Sequence, residues 1–146
     1  MSKVFHFGQS LKQGNRGEDK LLKLFPKLKK GDGRKVDIYT PSGKRIELKS
    51  ESRTVEETPN LAIEIGHSNG CIGALDRACQ DNIDYLVYMF GCGTIFTYNP
   101  KQLKEFLDKS SVNFRVVQVK NKSYTTLVKL VPRELVKHLQ ISFDYE

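Results

Sequence analysis

Apolar residues recur along this chain in distinct rhythms, and each rhythm predicts a different element. Leu21, Leu22, Leu24 and Phe25 follow Asn15-Arg-Gly-Glu18, whose Asn-to-Glu spacing suits a capping box, so a helix is expected from there to near Pro26. Alternation of apolar and polar positions through Ile46-Glu-Leu-Lys49 and Leu61-Ala-Ile-Glu-Ile65 predicts half-buried strands. Tyr85-Leu-Val-Tyr-Met-Phe90 is apolar without a break, the mark of a strand covered on both faces. After Gly91-Cys-Gly93, Thr94 to Tyr98 makes a further strand. A short helix is expected around Ala74 to Gln80. Another opens at Asn99-Pro100, with Asn as cap, Pro in the first turn and Leu103, Phe106 and Leu107 as its apolar face. Asn113 to Gln118 and Ser123 to Val131 read as strands joined at Lys120-Asn-Lys122, and Pro132 to Leu139 as a terminal helix. Lys27 to Lys35, Glu51 to Asn60 and Gly66 to Gly70 read as loops. Residues 1–13 lack clear periodicity and form a candidate mobile arm. The expected whole is a single α/β domain over residues 1–146, with one central mixed sheet flanked by helices.

The sharpest local prediction is a hairpin. Pro41-Ser42-Gly43 suits a three-residue loop, with Pro and Ser in a type I turn and Gly in the left-handed position. That loop pairs Thr40 with Lys44. Counting back along an antiparallel ladder puts Asp37 opposite Glu47. Side chains alternate along a strand, so Glu47 and Lys49 share a face while Ile46 and Leu48 point the other way. A slip of one residue would set Asp37 against Leu48 and destroy the cluster.

Charge then narrows the partner. With 24 Lys and Arg against 17 Asp and Glu the net charge is +7, which favours a polyanion, nucleic acid before an acidic membrane. No run of 18 apolar residues exists, and Met-Ser-Lys-Val-Phe-His-Phe lacks the apolar core of a signal peptide. The expected setting is cytoplasmic. Cys71, Cys79 and Cys92 cannot all pair internally and fit no common zinc spacing, so reduced thiols are expected.

Two carboxylates and a lysine on one face have a chemistry. Cutting a phosphodiester requires charge neutralisation and an activated water, both of which bound Mg²⁺ provides. Mg²⁺ takes oxygen ligands and keeps several waters, so Asp37, Glu47 and the Leu48 carbonyl are candidate ligands. Lys49 would orient the attacking water or stabilise the phosphate's negative charge. Glu18 either closes its capping box or, turned inward, completes the metal's outer sphere or holds a second metal. Lys27, Lys29, Lys30, Arg34 and Lys35 are candidate phosphate contacts, as are Arg53 and Arg77. His67 is read either as a surface residue or as a DNA contact. Glu64 either extends the acidic patch or faces solvent. Tyr85, Tyr88 and Phe90 are read as core.

Glu18 on a helix, Asp37 on a strand and the tripeptide Glu47-Leu-Lys49 resemble the PD-(D/E)xK nuclease superfamily. The stretches Asn60-Leu-Ala-Ile-Glu64, Gly70 to Leu75 and Asp84 to Tyr88 are similar to small phage-type nucleases of that group. Gly17-Glu-Asp-Lys20 and the ten-residue step from Asp37 to Glu47 resemble phage four-way-junction resolvases. One departure is Val36, where the motif name carries a proline. The resemblance runs through about Phe90. It implies a restriction-endonuclease-like core, Mg²⁺-dependent cleavage with Mn²⁺ as substitute, and DNA as substrate. Glu18, Asp37, Glu47 and Lys49 would be the catalytic set. Structure-selective cutting of branched DNA is one expectation, and site-specific homing or repair cleavage is the alternative that these features leave open. Double-strand cuts need two active sites, which makes a homodimer an expectation too. A non-catalytic nucleic-acid-binding module and a partner for an acidic protein are the competing classes, and both leave the facing carboxylates without a use.

Overall fold

The computed structural model describes residues 17–31 and 38–142. The candidate arm, Asn15 of the capping box, and the site candidates Arg34, Lys35 and Asp37 lie outside those residues. Residues 17–24 form helix α1. The strands are β1 (Lys29–Lys30), β2 (Ile38–Tyr39), β3 (Arg45–Ser50), β4 (Asn60–His67), β5 (Tyr85–Met89), β6 (Ile95–Tyr98), β7 (Arg115–Lys120) and β8 (Thr125–Pro132). Helix α2 covers Ala74–Gln80, α3 covers Pro100–Lys109, and Arg133–Leu139 is a 3₁₀ helix.

The protein is α/β with two sheets rather than one. The first is mixed, in the order β1-β2-β3-β5-β6, with β3 and β5 parallel and the other neighbours antiparallel. The second is antiparallel, in the order β4-β8-β7. The single-sheet expectation fails at β4. β3 already has β2 on one edge and β5 on the other, so no edge remains for β4, which pairs with β8 instead. Alternation along β4 encodes which residues are buried, not which strand lies beside it.

Three smaller corrections follow from the same kind of cause. The basic loop from Lys27 to Lys35 contains a two-residue strand, because Lys29 and Lys30 pair with Tyr39 and Ile38 on the open edge of β2. Lysines on an edge strand leave no apolar alternation to read. β7 begins and ends two residues later than expected. The terminal helix is 3₁₀: Arg133, Val136 and Leu139 turn inward at three-residue spacing while the residues between them are exposed, matching three residues per turn. Arg133 fixes this segment, its guanidinium donating to the carbonyls of Thr58 and Val55 and lying over Phe90 at 4.9 Å and Phe96 at 5.3 Å.

β5 divides the core. Tyr85, Val87 and Met89 pack with Ile38, Ile46, Leu48, Leu21 and Leu28 beneath α1. Leu86, Tyr88 and Phe90 pack on the other face with Leu61 and Ile63 of β4, Leu75, Leu103 and Leu107 of the helices, Val131 and Val136. All five β5 residues are buried, as its unbroken apolar run predicts. The helix cap at Asn99 also forms as expected, its side chain accepting from Gln102 N–H at 3.1 Å. Cys71, Cys79 and Cys92 are free thiols. Among the described residues no helix is long and apolar enough to cross a membrane.

Candidate active site

The hairpin that presents the site forms with the expected turn. Gly43 N–H donates to the Thr40 carbonyl at 2.9 Å and Thr40 N–H to the Lys44 carbonyl at 2.9 Å. Gly43 has φ +89°, where a side chain would be strained. The Thr40 hydroxyl, buried, accepts from Lys44 N–H at 3.0 Å and so closes the loop a second time. Ile38 faces Ile46 and Tyr39 faces Arg45, the ladder on which the position of Asp37 was counted.

On β3, Ile46 and Leu48 are buried in the core beneath α1. Glu47 and Lys49 take the opposite face, alongside Leu86 and Tyr88 of the parallel neighbour. Lys49 Nζ lies 3.7 Å from Glu47 Oε1 and 3.9 Å from Glu64 Oε2. The three side chains are 29%, 22% and 36% exposed, so they are open to a ligand yet sheltered from full screening. Both separations exceed a hydrogen bond, leaving the ammonium between two carboxylates without a directional commitment to either. Leu48 turns its side chain into the core, so only its backbone can serve a site on the Glu47 face.

Glu64 is partly exposed and approaches Lys49. It sits where the β4–β8 register shifts between Glu64 and Gly66. From there its carboxylate comes within 3.9 Å of Lys49 on β3. Sequence reasoning left Glu64 open because nothing local to β4 reveals the second sheet that brings Glu64 to Lys49. Tyr88 is a second neighbour that sequence assigned only to the core. It is buried, and burial followed by the negative charges of Glu64, Tyr98 and Glu47 pushes its phenol well above the ordinary range. No local signal in an apolar run could have revealed that electrostatic link.

The remaining candidates are distributed. Glu18, on α1, has Oε2 3.8 Å from Lys30 Nζ on β1. Lys20 Nζ donates to the Gly91 carbonyl at 2.9 Å, tying α1 to the turn after β5. Lys27, Lys29 and Lys30 are exposed. Arg53 is held by Glu51 through Nε–Oε1 at 3.0 Å and Nη2–Oε2 at 3.1 Å, which raises its pKa and engages the guanidinium. His67 lies on the second sheet, Nδ1 2.8 Å from Thr126 Oγ1 and its ring edge-on to Tyr124 at 5.4 Å. Arg77 is exposed on α2.

Glu47 and Glu64 supply carboxylate oxygens, the donor type that suits a hard divalent cation, with the Lys49 ammonium near both. Among the described residues no group of three or more His, Cys, Asp or Glu side chains is close enough to hold a metal. No protein-family model matches the chain, and no curated protein matches it.

Proposed function

We propose that this chain is a Mg²⁺-dependent endonuclease that hydrolyses DNA phosphodiester bonds, with a preference for branched DNA. One observation carries the reading: Glu47 and Lys49 stand together on one face of β3, 3.7 Å apart, on a hairpin paired Ile38↔Ile46 and Tyr39↔Arg45. The succession of α1 with Glu18, the β2–β3 hairpin, α2 and a parallel β5 supports a restriction-endonuclease-like core of the PD-(D/E)xK kind. The net charge of +7 supports a polyanionic substrate.

In this mechanism Asp37, Glu47 and the Leu48 carbonyl would hold Mg²⁺, and Glu18 would complete its surroundings. The ion, when bound, supplies Lewis acidity and a water of lowered pKa. Lys49 stands beside the phosphate, where its ammonium orients the attacking water and favours the charge that grows on the phosphoryl oxygens. Hydrolysis adds that water across one P–O ester bond. Lys27, Lys29 and Lys30, with Arg34 and Lys35, neutralise neighbouring phosphates and set the strand over β3. Arg77, and His67 on the second sheet, extend the contact, and Arg53 joins it only by releasing Glu51. Cutting both strands of a junction takes two such sites, which a homodimer provides.

The test is cleavage of linear, supercoiled and four-way-junction DNA with Mg²⁺ or Mn²⁺, wild type against Asp37→Ala and Lys49→Ala. Junction cutting by the wild type and its loss in both variants is the expected result. Cleavage unchanged in both variants rejects the assignment. Salt-sensitive DNA binding with no metal uptake would make the chain a binding module instead.

A further inference from the structure

We infer that Glu64 is a positioning residue that holds the Lys49 ammonium in place while Glu47 serves the metal, an inference that rests on the nuclease reading above. Lys49 has two carboxylates at nearly equal range, Glu47 at 3.7 Å from its own strand and Glu64 at 3.9 Å from the other sheet. A carboxylate that donates electron density to a divalent cation is a weaker counter-ion for a neighbouring ammonium, and the cation itself repels that ammonium. With Glu47 alone, loading the site would push Lys49 outward. Glu64 supplies attraction from the opposite side.

The backbone that carries Glu64 is held firmly. Gly73, the N-cap of α2, is buried against it, and a Cβ at Gly73 would overlap the Glu64 carbonyl group. Leu61 and Ile63 anchor the preceding turn of the strand in the core. The β4–β8 register shifts directly after Glu64, between Glu64 and Gly66. A long, flexible lysine side chain gains most from such a partner, because an unrestrained ammonium spends little time at the reacting phosphate.

Four measurements decide the matter. Glu64→Gln should lower kcat on junction DNA on the order of 10- to 100-fold, with KM and the Mg²⁺ midpoint unchanged. Glu64→Asp, which keeps the charge on a shorter arm, should recover part of the loss. In a Lys49→Ala background, Glu64→Gln should cost nothing further, since the two residues act as one unit. An additive loss, or a shifted Mg²⁺ midpoint, overturns the inference. Independently of cleavage, ¹³C relaxation of the Lys49 side chain with Mg²⁺ present and no DNA should show a restrained ammonium arm in wild type and a mobile one in Glu64→Gln. Equal mobility overturns the role of Glu64. A wild type that restrains Lys49 but cuts no DNA removes the nuclease reading and leaves the positioning contact standing.

Discussion

β3 and β5 run side by side, parallel and paired residue for residue from Ile46↔Tyr85 to Ser50↔Met89. They are nevertheless opposite kinds of strand. Every residue of β5 is buried, whereas β3 buries Ile46 and Leu48 and leaves Glu47 and Lys49 partly open. The backbone geometry is shared, so the difference lies in what covers the second face. Opposite β5, the second face meets β4, α3 and the 3₁₀ helix and fills with Leu86, Tyr88 and Phe90. One strand over, the same face of β3 carries Glu47 and Lys49, and Glu64 of the second sheet approaches Lys49 at 3.9 Å. β5 is scaffold, and β3 is the place where that scaffold stops being covered.

If that division holds, substitutions on the two strands should fail in different assays. Glu47→Ala or Lys49→Ala should reduce cleavage by on the order of 10³-fold, the scale of losing a group that acts on charge developing in the transition state. Urea unfolding should change by no more than about 0.5 kcal/mol, because both side chains are partly exposed. A matching fall in stability would show that the face is structural. Leu86→Ala, directly beside Glu47 in the register, should do the reverse. It should destabilise the fold by about 2–5 kcal/mol, with the molecules that remain folded cutting at a near-normal rate.

The same contrast explains what could be read from sequence. The unbroken apolar run of β5 needs cover on both faces, so its central position was legible. So was the β2–β3 hairpin, because Pro41, Gly43 and the Thr40 hydroxyl determine the loop locally. Asn99 and Pro100 announced α3 for the same reason. The second sheet was not legible. β4 and β8 are separated by over fifty residues, and nothing in Leu61-Ala-Ile-Glu-Ile65 names β8 as its neighbour rather than β3. The approach of Glu64 to Lys49 is a consequence of that long-range pairing, which is why Glu64 was left undecided. β1 was hidden for another reason: two edge lysines carry no periodicity at all.

A smaller effect sharpens the contrast at high pH. Burial pushes the Tyr98 phenol, on β6 beside β5, up to about 12, against the opposing influence of Arg133. Tyr88 on β5 is shifted in the same direction. In the unfolded chain these protons leave near 10. The folded state therefore binds more protons above that pH, and its stability, complete below about 10, is lost as pH rises toward 12. Each tyrosine contributes a slope of up to about 1.4 kcal/mol per pH unit. Urea unfolding between pH 8 and 11.5 should show this decline, and Tyr98→Phe should make it shallower. An unchanged slope would mean that the phenol is reached by water and that the covered side of the sheet is less dry than its packing indicates.

The smallest effect lies at the far edge of the same sheet, where β1 offers Lys29 and Lys30 to solvent. If these lysines serve phosphates, each contributes through counterion release and not through base contacts, so the effect must be uniform across DNA sequences. Lys29→Ala should lower the slope of log K against log salt by about 1, with little change in folding stability. Lys30 differs, because its ammonium already lies 3.8 Å from Glu18. Binding a phosphate there competes with an existing ion pair, and Lys30→Ala should therefore change the slope by less than Lys29→Ala. Equal changes would mean that the Glu18 contact is too weak to hold Lys30 back. A larger change at Lys30 would reverse the ranking and make β1, through Lys30, the main phosphate contact on that edge.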